Sequence, residues 1–194
     1  IEYYRKNPSQ QVIGIIHEKL RDYSIHDIDF VAGFDVGENK IGKRVNEAIY
    51  ESPNMVDWID RNDMPKTDSK VYESPALDGV GIWVENKVKP IQSGKSQSEL
   101  ESEIKNVLKE TGVEIIVSYL PVGSEKATQF WANICLETNI AFVNCMPAFI
   151  ASDNAWAQKF KEKNIPIIGD DIKGQVGATI VHRTLARLCD ERGT

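Results

Sequence analysis

Two acids and a lysine stand within five residues near the end of the chain, in the segment Gly169-Asp170-Asp171-Ile172-Lys173. Adjacent carboxylates repel each other, so a cation, a ligand hydroxyl or the Lys173 ammonium is needed to compensate their charge. Carboxylates in this setting bind hydroxyl groups or transfer protons. The spacing also fits a helix N-terminus, where capping and the helix dipole favour aspartate, and the pattern alone leaves both interpretations open.

Asp35 is a second candidate, because it ends an apolar run at residues 29–35 that is typical of a strand. In a dinucleotide-binding fold, a carboxylate at this place accepts hydrogen bonds from the hydroxyls of the adenosine ribose. Its charge should repel a 2′-phosphate, which favours NAD over NADP. The alternative is an ordinary turn or capping aspartate. No G-x-G-x-x-G motif precedes Asp35, and Gly14 stands alone.

Strands and helices alternate through the second half of the chain. Continuously apolar segments predict strands at residues 113–119, 140–145 and 165–169, and helical spacing predicts a last helix at 175–192. Ser96 and Glu99 fit a capping box, Gly112 fits a helix end, and Ser124 and Ser152 are predicted to cap the following helices. This order predicts an α/β fold, Rossmann-like and doubly wound, with a mainly parallel sheet and helices on both faces.

Four predicted strand ends carry polar or turn-forming residues, at position 35 and at 118–124, 144–147 and 169–173. The carboxyl ends of parallel strands meet at one edge of a sheet, and ligands bind in the crevice outside that edge. We therefore expect the four segments to lie together. The second of them leads into a helix N-terminus, which also suits a phosphate or a ribose edge.

Composition excludes several other classes of protein. The 194 residues carry a net charge of −6, which disfavours nucleic acid or an anionic membrane as the main partner. No apolar run approaches the roughly 20 residues of a membrane span. The three cysteines form an odd set without zinc spacing, and they indicate small buried side chains in a reducing, cytoplasmic compartment.

Long blocks of the sequence resemble a known family. SYLPVGSEKATQFWA, AFVNCMPAFIASDNAWAQKF and IPIIGDDIKGQVGATIVHRTLARLCDERG are similar to myo-inositol-1-phosphate synthase (inositol-3-phosphate synthase) of the archaeal and actinobacterial type. The segments IEYY and FVAGFDV extend the resemblance to the amino-terminal part, whereas residues 51–110 match more loosely.

The resemblance implies an enzyme that converts D-glucose 6-phosphate to 1D-myo-inositol 3-phosphate, in inositol and phospholipid biosynthesis. It implies oxidation of the sugar at C5 by NAD, enolisation, aldol closure and reduction, so that the cofactor is recycled. It also implies a cytoplasmic homotetramer that binds neither nucleic acid nor membrane. A divalent or monovalent cation beside NAD is left open, and no residue is assigned as a metal ligand.

The resemblance also assigns roles to particular residues. Asp171 and Lys173 are expected to be catalytic, beside the nicotinamide and the substrate. Cofactor contacts are expected from Asp35, Leu120, Pro121, Val122, Cys145, Met146, Pro147, Asp171 and Gly174. Gly174 stands where relatives commonly have serine, which removes one hydroxyl contact to the cofactor.

We expect residues 1–194 to form one NAD-binding Rossmann-type domain, with a first strand and glycine loop before Ile1. An α+β domain for tetramerisation and catalysis is expected after Thr194, and it would hold most of the family's catalytic lysines. The 194 residues alone are therefore expected to be inactive. Two other classes share the sheet and Asp35: a two-domain NAD-dependent dehydrogenase that releases NADH, and a non-catalytic NAD-binding subunit.

Overall fold

The structure, a computed structural model, describes residues 1–15, 17–53, 60–82, 84–172 and 177–194. Its helices in these ranges are α1 (Glu2–Lys6), α2 (Val45–Ala48), α3 (Gln97–Thr111), α4 (Glu125–Thr138), α5 (Asn154–Glu162) and α6 (Ala178–Glu191). Its strands are β1 (Lys19–Leu20), β2 (Tyr23–Ser24), β3 (Gly33–Asp35), β4 (Val71–Glu73), β5 (Ile115–Ser118), β6 (Ala141–Asn144) and β7 (Ile167–Ile168). Short 3-10 helices span Ile25–Asp27 and Arg61–Asp63.

The strands form two parallel sheets and one small antiparallel pair. β5, β6 and β7 lie side by side in one parallel sheet with β6 in the centre, and β3 pairs with β4 in the other. β1 and β2 form the antiparallel pair. Helices α4 and α5 make the crossovers of the three-stranded sheet, as parallel pairing requires. The predicted class, a Rossmann-like α/β fold with parallel sheets flanked by helices, is confirmed.

The hydrophobic core is built almost entirely between α3 and the start of β7. Its buried members are Ile104, Leu108, Phe130, Trp131, Ala132, Ile134, Cys135, Leu136, Ile140, Phe142, Ile150, Phe160 and Ile165. The rings of Phe142 and Phe160 stack with centroids 6.5 Å apart. Phe34 of β3 lies 4.9 Å from Trp131, centroid to centroid, and so joins the smaller parallel sheet to this core.

Burial in β5 differs from the prediction. The continuous apolar run predicts a strand buried on both faces, but Ile115 and Val117 are 56% and 49% exposed. Ile116, between them, packs against the core. Because alternate side chains of a strand point to opposite faces, one face of β5 is packed and the other is open in the described part of the chain.

The predicted capping box and the predicted end of α3 are both confirmed. The Ser96 hydroxyl accepts from the Glu99 amide at 3.3 Å, and the Glu99 carboxylate accepts from the Ser96 amide at 2.8 Å. Gly112 ends the helix with φ +65°, a conformation that favours glycine. Leu100, Ile104 and Leu108 are the buried face of this helix.

The prediction that the Ser124 hydroxyl caps α4 is wrong. Ser124 holds the N-cap position, but its hydroxyl donates to the Pro121 carbonyl at 2.5 Å and binds no helix amide. The carboxylate of Asp78 accepts instead from the amides of Lys126 and Ala127, at 2.6 and 2.9 Å. Burial opposes ionisation of Asp78, but these amide hydrogen bonds outweigh it and lower the pKa of the carboxyl.

Replacing Asp78 with alanine is expected to lower the free energy of unfolding by about 1–2 kcal/mol, the scale of a lost helix cap. Because the pKa of Asp78 is lower in the folded state, its contribution is complete above the ordinary pKa and is lost as the pH falls through the folded-state pKa. Urea unfolding at neutral pH measures the loss. Asp68→Ala is the control, since the Asp68 side chain is fully exposed. Equal stability of the two variants would contradict the cap.

The last two helices differ from the prediction at their starts. Asp153, and not Ser152, caps α5, by accepting from the Trp156 amide at 3.0 Å. Helix α6 begins at Ala178, and the predicted start at residue 175 lies outside the described residues. Val181 and Leu188 of α6 are 44% and 53% exposed, and no residue of this helix is buried.

The cysteines divide into three environments. Cys135 is buried, and burial raises the pKa of its thiol to about 12, so it behaves as a core side chain. Cys145 is half-buried and Cys189 is exposed, so the prediction of three buried cysteines is wrong for Cys189. Within the described ranges, no helix has the length and apolar character needed to cross a membrane.

Candidate functional site

The carboxyl edge of the three-stranded sheet brings three of the predicted segments together. Ser118 at the end of β5 lies opposite Asn144 at the end of β6, and Val143 of β6 lies opposite Ile168 of β7. The loops after these strands therefore leave the sheet at the same edge. Asp35, the fourth predicted strand end, lies in the other parallel sheet, because β3 pairs with β4. We expected all four segments to lie at one edge of one sheet. Three of them follow neighbouring strands of the same sheet, whereas Asp35 ends a strand of the other sheet.

Asn144 and Asp170 join the ends of β6 and β7. The Asn144 amide nitrogen donates to Asp170 Oδ1 at 2.7 Å and to the Ala148 carbonyl at 2.8 Å. Gly169 permits the close approach, because a Cβ there would lie 3.0 Å from the Asn144 carbonyl oxygen. The two strand ends therefore form one connected structure.

Asp170 also binds the loop that leads into α5. Its carboxylate accepts from the amides of Ile150, Ala151 and Ser152, at 2.9, 3.0 and 3.0 Å. Partial burial raises the pKa of Asp170, but the hydrogen bonds from Ser152, Ala151, Asn144 and Ile150 together outweigh it and lower the pKa. Backbone amides thus compensate the charge of Asp170. The sequence suggested only a cation, a ligand hydroxyl or Lys173 for this purpose.

Asp171 has the opposite environment. Its side chain is exposed, and within the described residues its carboxylate contacts only the next amide, that of Ile172, at 2.7 Å. The Asp171 amide donates to the Met146 carbonyl at 3.0 Å, which fixes the backbone with φ +72°. One acid of the pair therefore holds the loops together, and the other has an exposed carboxylate.

The remaining predicted cofactor contacts on these loops differ in access. Pro121, Val122 and Pro147 are exposed, with Val122 85% exposed. Leu120 packs against the core, and Met146 is only 5% exposed. All five lie in the loops beside the edge, and only Pro121, Val122 and Pro147 have side chains open to a ligand.

Tyr119 and Cys145 lie in the loops that follow β5 and β6. Hydrogen bonding to the Cys145 side chain, together with burial, raises the pKa of Tyr119. Cys145 also donates its amide to the Ser118 carbonyl at 3.1 Å. This part of the edge is therefore held by contacts between neighbouring loops, as in the Asp170 network.

Ser118 is a site residue that the sequence interpretation did not single out. Its side chain is 5% exposed, and its hydroxyl has no hydrogen-bond partner among the described residues. Buried polar groups are nearly always satisfied, and this one lies at a strand end, where ligands of parallel sheets bind. The strand-final position was the available signal. Ser118 lies on the same face of β5 as Ile116, which packs against the core, so its hydroxyl faces the protein interior.

Asp35 stands at the end of β3 with a half-exposed carboxylate. Oδ1 accepts from the Gly37 amide at 2.8 Å, and Oδ2 lies 3.1 Å from the Lys40 ammonium. A carboxylate has about four acceptor positions, so two remain for the hydroxyls of a ribose. The residues present thus fit the predicted adenosine contact, with a cation that the prediction did not include.

Two predicted residues, Lys173 and Gly174, lie outside the described residues. Among the residues that are described, no group of three or more His, Cys, Asp or Glu side chains is placed to hold a metal ion.

The described strands and helices define a Rossmann-like α/β protein, and comparisons with known proteins give its relatives. No protein-family model matches the chain. It is 44% identical over 194 residues to the inositol-3-phosphate synthase of Mycolicibacterium smegmatis, covering 100% of this chain and 51% of the relative. It is also 44% identical over 195 residues to the inositol-3-phosphate synthase of Corynebacterium glutamicum, covering 100% of this chain and 51% of that relative.

Two solved structures share the fold of this chain. The crystal structure of Ari2 superposes with a TM-score of 0.80 at 28% identity, covering 99% of this chain and 55% of that one. A myo-inositol-1-phosphate synthase-related protein from Thermotoga maritima has a TM-score of 0.64 at 23% identity, with coverage of 88% and 49%, and supports the fold alone. The resemblance to the inositol-phosphate synthases is confirmed along the whole chain, which spans about half the length of the curated relatives it matches.

Proposed function

We propose that this chain is the NAD-binding Rossmann-type part of an inositol-3-phosphate synthase, which converts D-glucose 6-phosphate to 1D-myo-inositol 3-phosphate. The observation that carries the proposal is 44% identity to two proteins of that name along all 194 residues. The site supports it, because the carboxyl edge offers an exposed carboxylate and exposed loops where dinucleotides bind in such sheets.

The proposed reaction has no net redox change, because substrate and product are isomers. NAD, when bound, supplies the reversible oxidation at C5 of the sugar, which makes the neighbouring C–H acidic. Asp35 is proposed to hold the dinucleotide, and the loops at Pro121 and Pro147 to border it. Residues that bind the cofactor are not proposed to transfer protons. The proton transfers are assigned to side chains that are open to the substrate.

Asp171 is the described carboxylate that we propose for proton transfer, because it is exposed at the edge while Asp170 is committed to four hydrogen bonds. A carboxylate positioned in this way can accept the proton released on enolisation. We propose that Lys173, two residues later, supplies positive charge for the developing enolate. Gly174 is proposed to lie against the cofactor, without the hydroxyl common in relatives.

The test is phosphorus NMR of the full-length protein with glucose 6-phosphate and a catalytic amount of NAD. A new inositol-phosphate resonance without growing absorbance of NADH is expected, because the cofactor is recycled. Stoichiometric NADH without the new resonance would indicate a dehydrogenase instead. NAD binding with neither signal would indicate a non-catalytic subunit. The same reaction without enzyme is the control.

Residues 1–194 alone are proposed to be inactive, with an α+β domain elsewhere in the protein supplying further lysines. We also propose a cytoplasmic homotetramer. Light scattering of the full-length protein tests the tetramer, and an activity assay of the 194-residue chain beside the full-length protein tests the division of the active site.

A further inference from the structure

An aromatic ring stands open in the loop between β6 and α5. Phe149 is 72% exposed, whereas Ile150, which follows it, is 0% exposed. The loop is fastened on both sides of the ring. The Ala148 carbonyl accepts from the Asn144 amide nitrogen at 2.8 Å, and the Ile150 amide donates to Asp170 Oδ2 at 2.9 Å. The backbone that carries the Phe149 ring is therefore fixed, while the ring itself is open to a ligand.

The place of this ring in the fold indicates which half of a dinucleotide it would meet. Rossmann folds consist of two mononucleotide-binding halves, and the dinucleotide lies across the crevice between them. Asp35, proposed for the adenosine ribose, ends a strand of the β3–β4 sheet. Phe149 follows β6, the central strand of the other parallel sheet. The nicotinamide half is therefore expected at the edge where Phe149 lies.

We propose that Phe149 binds the nicotinamide ring of NAD. This inference rests on the dinucleotide site of the proposed function and adds a residue to it. Nicotinamide is a flat aromatic ring, and contacts between aromatic rings are favourable beyond the area that they bury. Oxidised nicotinamide also carries a positive charge, which the face of an aromatic ring attracts. Leucine in place of Phe149 would keep an apolar contact and lose both of these effects.

The loop that carries Phe149 also contacts the exposed acid at the edge. The Asp171 amide donates to the carbonyl of Met146, which lies in the same loop as Phe149. This hydrogen bond, 3.0 Å long, joins the loops after β6 and β7. Phe149 would therefore hold the nicotinamide near the carboxylate that we propose for proton transfer. Such placement of reacting groups is the main contribution of a protein to cofactor chemistry.

Other exposed apolar side chains at this edge suit the role less well. Val122 and Ile172 are exposed, but they are aliphatic and offer no aromatic face. Tyr119 is exposed and aromatic, but it shares a hydrogen bond with Cys145 of the neighbouring loop. Among the described residues of the three loops, this leaves Phe149 as the exposed aromatic ring without a polar partner.

Phe30 offers a matched control. Its side chain is 60% exposed, which is close to the value for Phe149. It precedes the first residue of β3, whereas Asp35 is the last residue of that strand. Phe30→Leu therefore makes the same chemical change at a similarly open place, away from the carboxyl ends of the strands.

The experiment is calorimetric titration of the full-length protein, freed of bound nucleotide, with NAD and with ADP-ribose. ADP-ribose keeps the adenosine, the pyrophosphate and the second ribose but lacks the nicotinamide ring. We expect Phe149→Leu to weaken NAD binding about fivefold to tenfold, the scale of one aromatic contact, and ADP-ribose binding by less than about twofold. Phe149→Tyr, which keeps the ring, should bind NAD within about twofold of wild type. Phe30→Leu should leave both dissociation constants unchanged, and urea unfolding shows that each variant is folded.

The outcomes separate this inference from the proposed function. Equal weakening of NAD and ADP-ribose binding in Phe149→Leu would overturn the contact with nicotinamide, as would unchanged binding of both. A lower midpoint of urea unfolding with an unchanged ratio of the two dissociation constants would also overturn it, and would place the ring against another part of the protein. All of these results leave the proposed NAD site intact. Wild-type protein that binds neither NAD nor ADP-ribose would overturn the site and the inference together.

Discussion

Asp170→Asn is expected to lower the free energy of unfolding by about 2 kcal/mol, because buried donors left without an acceptor are costly. Oδ1 accepts from Asn144 and the Ala151 amide, and Oδ2 accepts from the amides of Ile150 and Ser152. Whichever way the asparagine side chain turned, its NH₂ group would replace one carboxylate oxygen. The two N–H donors that bind this oxygen would then have no acceptor. Urea unfolding at neutral pH, followed by circular dichroism, measures the change.

Asp171→Asn is the matched control, because it makes the same chemical change one residue away. The Asp171 side chain is exposed and contacts only its neighbouring amide among the described residues, so we expect a loss below about 0.5 kcal/mol. Similar losses in both variants would show that the network of Asp170 contributes nothing specific to stability.

The effect of Asp170 should also depend on pH. Its pKa is lowered in the folded protein, because the four hydrogen bonds outweigh the effect of burial. Its stabilising contribution is therefore complete above the ordinary value of about 3.9 and is lost as the pH falls through the lower folded-state value. The difference between wild type and Asp170→Asn is expected to shrink below about pH 4. A constant difference down to pH 2 would contradict this account.

The second large effect concerns activity. Asp171→Asn in the full-length protein is expected to lower kcat by at least about 100-fold, the scale of a lost general acid or base. Asparagine keeps the shape of the side chain but cannot accept the proton. Phosphorus NMR with glucose 6-phosphate measures the rate, and unchanged unfolding by urea shows that the fold is intact. Wild-type kcat would remove Asp171 from the proton transfer.

Together the two variants separate adjacent acids by function. Asp170→Asn should mainly change stability, and Asp171→Asn should mainly change kcat. The spacing alone could not divide these roles, because both residues share one motif and one strand end, whereas the resemblance assigned catalysis to Asp171 and no role to Asp170. The division depends on the amides of Ile150–Ser152, which come near Asp170 only when β6 and β7 pair.

Features that depend on near neighbours could be predicted from the sequence. The capping box at Ser96, the end of α3 at Gly112 and the order of strands and helices all follow from short spacing, and they were confirmed. The edge formed by β5, β6 and β7 followed from the parallel order. These elements are encoded within a few residues, so a single sequence suffices.

Features that depend on distant residues could not be predicted. Asp78 caps a helix that begins nearly fifty positions later, and no local pattern connects them. The division into two parallel sheets and the open face of β5 likewise depend on which strands become neighbours. At Asp35 the carboxylate was predictable, but its pairing with Lys40 required the geometry of the intervening turn.

The concentration of the core between Ile104 and Ile165 has a consequence for the order of folding. Two successive strand–helix–strand units with short connections supply nearly all of its contacts, so this segment can collapse before more distant parts join it. Among the described residues at positions 1–15 and 17–30, only Val12 is a buried apolar side chain. Amide protons should therefore exchange last in β6 and α4, and earlier in the amino-terminal segment, which opens at a lower cost in free energy than the central core.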